Sequence, residues 1–357
     1  LADGAPISLE RTERGLTYPQ PALPLHGEAV TVADGVLWMR IAMPIALDHI
    51  NVYAIADGDG WVLVDTGLNT PTTHDAWEKI MAGPLQGRPV HRLIVTHLHP
   101  DHIGAAGWLY EKTGAPLLMS RLEYVCARMY VGEDALGPTL EAETFFRRQG
   151  WDDEAIARWK KGFGRFSRSI SPIPPQFTRL QEGEVLTIGG REWTVVIGEG
   201  HSPEHVCLWR KDDDVFIAGD QILPKISSNI GVWDTEPNGD PLKDWLLSLA
   251  ALKERLPSGL LVLPSHGEPF YGVTTRLDTL LRGHEVGLKR LMRSLQQKCR
   301  TIDVFGALFA RQIGPELLGM ATAESLAHLN YLEGQSRAVR EIDENGVEWW
   351  SAVEGTQ

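Results

Sequence analysis

Thr96-His97-Leu98-His99-Pro100-Asp101-His102 is the stretch on which the reading of this sequence turns. It follows Arg92-Leu-Ile-Val-Thr96, a compact β-branched run that predicts a buried strand, and it leads into His102 to Lys112, which reads as a helix. Four metal-capable side chains within six residues are hard to explain as packing. On extended backbone His97 and His99, two apart, project to the same side. Asp101 and His102 lie beyond the turn at Pro100 and aim at a neighbouring point. That arrangement suits two metal ions sharing one loop.

Outward from this loop, each further candidate also follows an expected strand. His201 lies in Gly200-His-Ser-Pro-Glu-His205 after Trp193 to Ile197, and Asp220 closes Ala218-Gly-Asp220 after Val215 to Ala218. His266 stands in Pro264-Ser-His-Gly267 after Leu260 to Leu263, and Asp65 in Val64-Asp-Thr-Gly67 after Trp61 to Val64. Carboxyl ends of strands on one sheet edge are where layered folds build sites. Imidazole and carboxylate without thiolate suit zinc, iron or manganese, with zinc the leading choice. Asp65 is suited to accept an imidazole N–H and so fix its tautomer. His205 reads as a structural hydrogen-bonding residue as readily as a ligand and is left out of the set. His26, His49, His74, His91, His284 and His328 lack partner spacing and read as structural or solvent-facing.

Strand text alternating with helical text, including a helix over Pro71 to Ala82, predicts an α/β layered domain. Residues 121–175 interrupt that rhythm as a helical insertion closed by Ser171-Pro-Ile-Pro-Pro175. Its aromatic residues, among them Tyr124, Tyr130, Phe145, Phe146, Trp159 and Phe166, suit either a lid over the site or the insertion's own core. Asn229 and Trp233, just past Asp220, are candidate pocket-lining residues. The expected division is an N-terminal arm at 1–29, a main domain at 30–275 and a C-terminal domain at 276–357, the last made of helices and a terminal hairpin around Glu344-Asn-Gly346.

The 357 residues, 43% apolar and 23% charged, suffice for such domains with proper cores and exclude disorder as the main state. A formal charge of -13 repels nucleic acid and anionic membrane, and no apolar run approaches the roughly 18–20 residues of a membrane-spanning helix. Three scattered cysteines, Cys126, Cys207 and Cys299, fit a reducing compartment, so a cytoplasmic location is expected. The proline-bearing N-terminus shows no signal-peptide pattern.

Taken in order, VDTG at 64–67, THLHPDH at 96–102, GHSPEH at 200–205, AGD at 218–220 and SHG at 265–267 resemble the metallo-β-lactamase superfamily over about residues 30–275. The resemblance implies an αββα sandwich with a dinuclear site at one edge. It makes His97, His99 and His201 ligands of a first metal and Asp101, His102 and His266 ligands of a second, with Asp220 bridging and Asp65 behind the ligands. The C-terminal domain resembles the winged-helix-like tail of a glyoxalase-II-like hydrolase subgroup, some members of which act on RNA. Its best recognition-helix candidate, Ala321 to Leu332, contains no Lys or Arg, and residues 276–357 carry ten basic against eleven acidic side chains. A packing or homodimerisation role for the tail is therefore expected in place of nucleic-acid recognition.

The implied activity is a binuclear metal-dependent hydrolase in which a metal-bridging hydroxide attacks a small acyl substrate: a thioester, lactone or related ester. Asp101 and Asp220 are the residues expected to act in catalysis. The alternatives are a phosphodiesterase or ribonuclease, favoured by the basic residues of the insertion, and a mononuclear-iron persulfide dioxygenase.

Overall fold

The computed structural model describes residues 11–20 and 22–355. The first ten residues of the expected N-terminal arm, and Pro21 within it, lie outside the described residues. A hairpin of β1 (Arg11–Glu13) and β2 (Leu16–Tyr18) precedes the first sheet. That sheet keeps sequence order: β3 (Val30–Ala33), β4 (Val36–Ala42), β5 (His49–Asp57), β6 (Gly60–Val64), β7 (Val90–Ile94), β8 (Leu117–Met119) and β9 (Thr178–Arg179). Pairing is antiparallel as far as β6 and parallel from there to β9. Parallel neighbours need crossovers. Helix α1 (Pro71–Ala82) joins β6 to β7, and α2 (Pro100–Ile103) with α3 (Ala106–Thr113) joins β7 to β8.

Between β8 and β9 the expected insertion folds as α4 (Arg121–Asp134), α5 (Leu140–Arg148), α6 (Asp153–Gly162) and α7 (Arg165–Arg168). The second sheet repeats the plan of the first. Strands β10 (Val185–Ile188), β11 (Arg191–Gly198), β12 (His205–Arg210) and β13 (Val215–Gly219) are antiparallel, and β14 (Leu261–Pro264) joins β13 in parallel after α8 (Pro241–Arg255). The chain then continues through α9 (Val273–Ser294), α10 (Phe305–Leu308), α11 (Leu318–Gly334) and the hairpin β15 (Ala338–Ile342) with β16 (Glu348–Ala352).

Period-two alternation along the strands builds the layers. Trp38, Tyr53, Val62 and Val64 of the first sheet meet Trp193, Val195, Leu208 and Ile217 of the second in a core between the sheets. Their sequence neighbours Met39, Ile41 and Leu63 face outward onto Trp77 and Ile80 of α1 and Leu109 of α3. On the far side Cys207, Phe216 and Ala218 pack against Trp245 and Leu249 of α8. The architecture is the αββα sandwich that the sequence implied.

The helix expected from His102 to Lys112 is broken at Gly104. There the Gly104 carbonyl accepts the Ser171 N–H at 2.7 Å and the Ala105 N–H turns to Gly67 O at 2.8 Å, so the two cross-chain bonds displace the helical ones. A Cβ at Gly104 would lie 2.6 Å from Gly67 O and 2.7 Å from Ser169 O, which leaves space for glycine alone.

Most of the insertion's aromatic residues pack into or against the cores. Tyr124, Tyr130 and Phe166 join the cluster on the first sheet's outer face, whereas Phe145, Phe146 and Trp151 join that on the second. The C-terminal segment enters the latter cluster through Leu326, Leu329, Ala338 and Trp350. Helix α11, which contains the recognition-helix candidate, is buried along most of its length. Among the described residues no helix is long and apolar enough to cross a membrane. Trp350 is fully buried, so Trp350→Ala is expected to cost about 3–5 kcal/mol, read as a lowered denaturant midpoint.

Candidate metal centre

Parallel pairing sets the carboxyl ends of β6 and β7 side by side, and the Asp65 N–H closes on Ile94 O at 2.9 Å. Asp65 sits in the left-handed region at φ 61°, which costs an L-residue roughly 1–2 kcal/mol. In exchange its buried carboxylate accepts the Thr96 N–H at 2.8 Å, the Thr96 hydroxyl at 2.9 Å and His102 Nδ1–H at 2.8 Å. Thr96 Oγ1 in turn stands 3.0 Å from His97 Nδ1. The imidazole orientation expected of Asp65 is thus present for His102, and reaches His97 through Thr96.

The second sheet supplies the other side in the same way. Strands β13 and β14 are parallel, and the Ser265 N–H donates to Gly219 O at 3.0 Å, which places Asp220 beside His266. Gly219 has φ +53°, and a Cβ there would lie 2.3 Å from His205 Cε1. His205 Nε2 accepts the Asp220 N–H at 3.0 Å, so this histidine holds the aspartate's backbone and is not among the groups able to share an ion. His201 gives Nδ1–H to Asn229 O at 2.8 Å, and His266 gives Nδ1–H to His49 O at 2.8 Å.

All seven side chains named from the sequence converge. Three groups each have their ligand atoms within 4.8 Å of one another: His97, His99 and His201; His97, His102 and Asp220; Asp101, His102 and His266. His97 Nε2 is 2.9 Å from His99 Nδ1 and 3.2 Å from His201 Nε2. His266 Nε2 is 3.3 Å from Asp101 Oδ2 and 3.5 Å from Asp220 Oδ1, while Asp220 Oδ2 is 3.5 Å from His201 Nε2. Tetrahedral ligands at about 2.0–2.1 Å from an ion are about 3.4 Å apart, so these separations are those of a coordination polyhedron. Two buried atoms, His102 Nε2 and Asp220 Oδ1, have no hydrogen-bond partner among the described residues, and they face each other at 3.6 Å. The donor set and these orphaned atoms fit divalent cations.

The electrostatics divide the site. Burial, reinforced by the surrounding imidazoles, holds His97 well below the usual histidine value and His99 at about 3, so both are neutral donors. Burial opposes charge on His266 too, but the Asp220 and Asp101 carboxylates outweigh it and raise the ring to about 10. His102 is likewise raised despite burial, by Asp65, Asp101 and Asp220. Burial would raise Asp220, yet His266 and His102 hold it well below the ordinary carboxylate range. Positive charge therefore collects where three carboxylates meet, the place a cation would take.

His49, expected to be structural or solvent-facing, is structural. Beyond its carbonyl bond to His266, its Nε2 accepts the Gly267 N–H at 2.9 Å. Of the two residues expected to line a pocket, Asn229 supports His201 through its backbone, and Trp233 is partly exposed. Thr96 was not singled out, although its place before His97 and its hydroxyl were both visible.

Fold and site together define a metal-dependent hydrolase. The chain belongs to the metallo-beta-lactamase superfamily, whose family model matches residues 45–266. A second model, of the metallo-beta-lactamase-like C-terminal domain, matches residues 288–353. A beta-lactamase domain protein from Burkholderia ambifaria of known crystal structure is 36% identical with a TM-score of 0.88, covering 95% of this chain and 98% of that one. The probable metallo-hydrolase YqjP of Bacillus subtilis is 24% identical over 85% of this chain and 93% of its own length. The human acyl-coenzyme A thioesterase MBLAC2 is 24% identical over 67% of this chain and 81% of its own.

Replacing His97 or Asp220 by alanine is expected to lower the number of divalent ions bound per chain, measured by elemental analysis after dialysis. Unchanged stoichiometry would remove these residues from the ligand set. Gly219→Ala is expected to lose about 1–2 kcal/mol from backbone strain, and more from the His205 contact, seen as a lower melting temperature.

Proposed function

We propose that this chain is a binuclear, zinc-dependent hydrolase of acyl thioesters, allied to the glyoxalase-II-like subgroup with a winged-helix-like tail. The observation that carries the reading is Asp220, which offers Oδ2 to His201 and Oδ1 to His102 and His266. His97, His99 and His201 would hold one ion, Asp101, His102 and His266 the other, with Asp220 between. When bound, such ions supply Lewis acidity toward a carbonyl oxygen and a water acidic enough to attack it at neutral pH.

The chain's own residues supply the rest. Nδ1 anchoring of His97, His102, His201 and His266 leaves each Nε2 lone pair directed inward. Asp220 stays ionised, offsetting cationic charge and keeping water polarised at the site. Asp101 has the most open of the three carboxylates, 20% exposed against 10% for Asp220 and 3% for Asp65, which suits a group that meets incoming solvent. Thioesters are favoured over lactones by the thioesterase relative. Burial of helix α11, which carries no Lys or Arg, supports a small-molecule substrate over nucleic acid, and a packing or homodimer role for the tail.

The test is initial-rate hydrolysis of an acyl-thioester and lactone panel by zinc-loaded protein, with His266→Ala beside it. Thioester hydrolysis that falls by more than about 100-fold in the variant is expected, since removing a ligand exceeds the effect of losing an outer partner. Silence of the fully loaded wild type across the panel would sink the acyl reading.

A further inference from the structure

Helix α4 opens the insertion, and its third residue, Glu123, is completely buried. Its two carboxylate oxygens go to different loops. Oε2 accepts the Leu98 N–H at 2.9 Å, between His97 and His99, and Oε1 accepts the Glu204 N–H at 2.8 Å, three residues after His201. The contact is reciprocal, because Glu204 Oε2 accepts the Leu122 N–H at the start of the same helix at 2.9 Å. Two loops from different sheets are thus joined through one side chain that is itself no candidate ligand.

A buried carboxylate is a costly way to fill space. What it offers over every neutral side chain of its size is two acceptor oxygens and no donor. Glutamine presents one oxygen and one NH2, so one of the two amides would face a donor. Aspartate keeps the charge but is a methylene shorter and cannot span both loops.

We propose that Glu123 is a positioning residue of the metal centre, the clamp that sets His97 and His99 against His201. The inference rests on these three histidines acting as a ligand set. It also assigns the insertion a role: it carries the clamp, so the packing of α4 is transmitted to the separation of two ligand loops over 100 residues apart in the chain.

The experiment is zinc binding by full-length protein, in competition with a chromophoric chelator, for wild type, Glu123→Gln, Glu123→Asp and Tyr124→Phe, with metal-free melting curves for each. Tyr124→Phe deletes the hydroxyl that donates to Pro174 O at 2.9 Å from the same helix and leaves the clamp alone. The expected result is about 10–100-fold weaker zinc binding in Glu123→Gln, a loss in Glu123→Asp, and unchanged affinity with a lower melting point in Tyr124→Phe. Wild-type affinity in folded Glu123→Gln overturns the proposal, and so does an equal loss in Tyr124→Phe. If Glu123→Gln does not fold, Glu123→Asp decides by the same criterion. A failure of the ligand set itself shows separately, as zinc binding untouched by His97→Ala.

Discussion

The buried carboxylate of Asp65 is the constraint from which the site follows. It stands where β6 ends, in a backbone conformation that L-residues avoid, and is kept there by bonds to Thr96 and His102. These partners belong to the end of the neighbouring strand and to the short helix after it, so one side chain fixes the turn that carries four of the seven converging groups. Backbone strain of about 1–3 kcal/mol survives only where surroundings over-determine it, and here three donors do so.

The two sheets use one device twice. Each runs antiparallel at first and turns parallel where the site is built, at β6–β7 and at β13–β14. A parallel pair brings two carboxyl ends to the same edge, so ligands distant in sequence arrive together without long loops. The chemical partition follows that geometry: His97 and His99 are held neutral, and carboxylates with a raised imidazole gather around Asp220 and His266.

Much of this was legible in the sequence because it is local. The 96–102 run carries its own strand, turn and metal-capable side chains, and compact apolar runs announced the strands that end near Asp65, Asp220 and His266. What escaped acts through the backbone or over long separations. His49 and Asn229 support His266 and His201 with carbonyl oxygens, which every residue possesses, so that role gave no signal even though Asn229 was named for the pocket. Glu123 looks like an ordinary charge near a helix start, and its burial depends on loops that only the tertiary fold delivers. The break at Gly104 was likewise invisible, since the carbonyls that crowd it come from Gly67 and Ser169. The insertion's aromatic residues allowed two readings because sequence spacing cannot say which surface covers them.

The apolar cluster on the outer face of the second sheet has a consequence for biogenesis. Val196, Cys207 and Phe216 share a cluster with Trp245 and Leu249 of α8 and also with Leu326, Leu329 and Trp350, more than 100 residues downstream. A ribosome releases the strands and α8 long before it releases those last members, so the helical layer emerges with apolar surface still open, the kind that chaperones recognise. The loops that bring the seven groups together are translated before residue 270, but the apolar cluster behind them is complete only after Trp350 has left the exit tunnel.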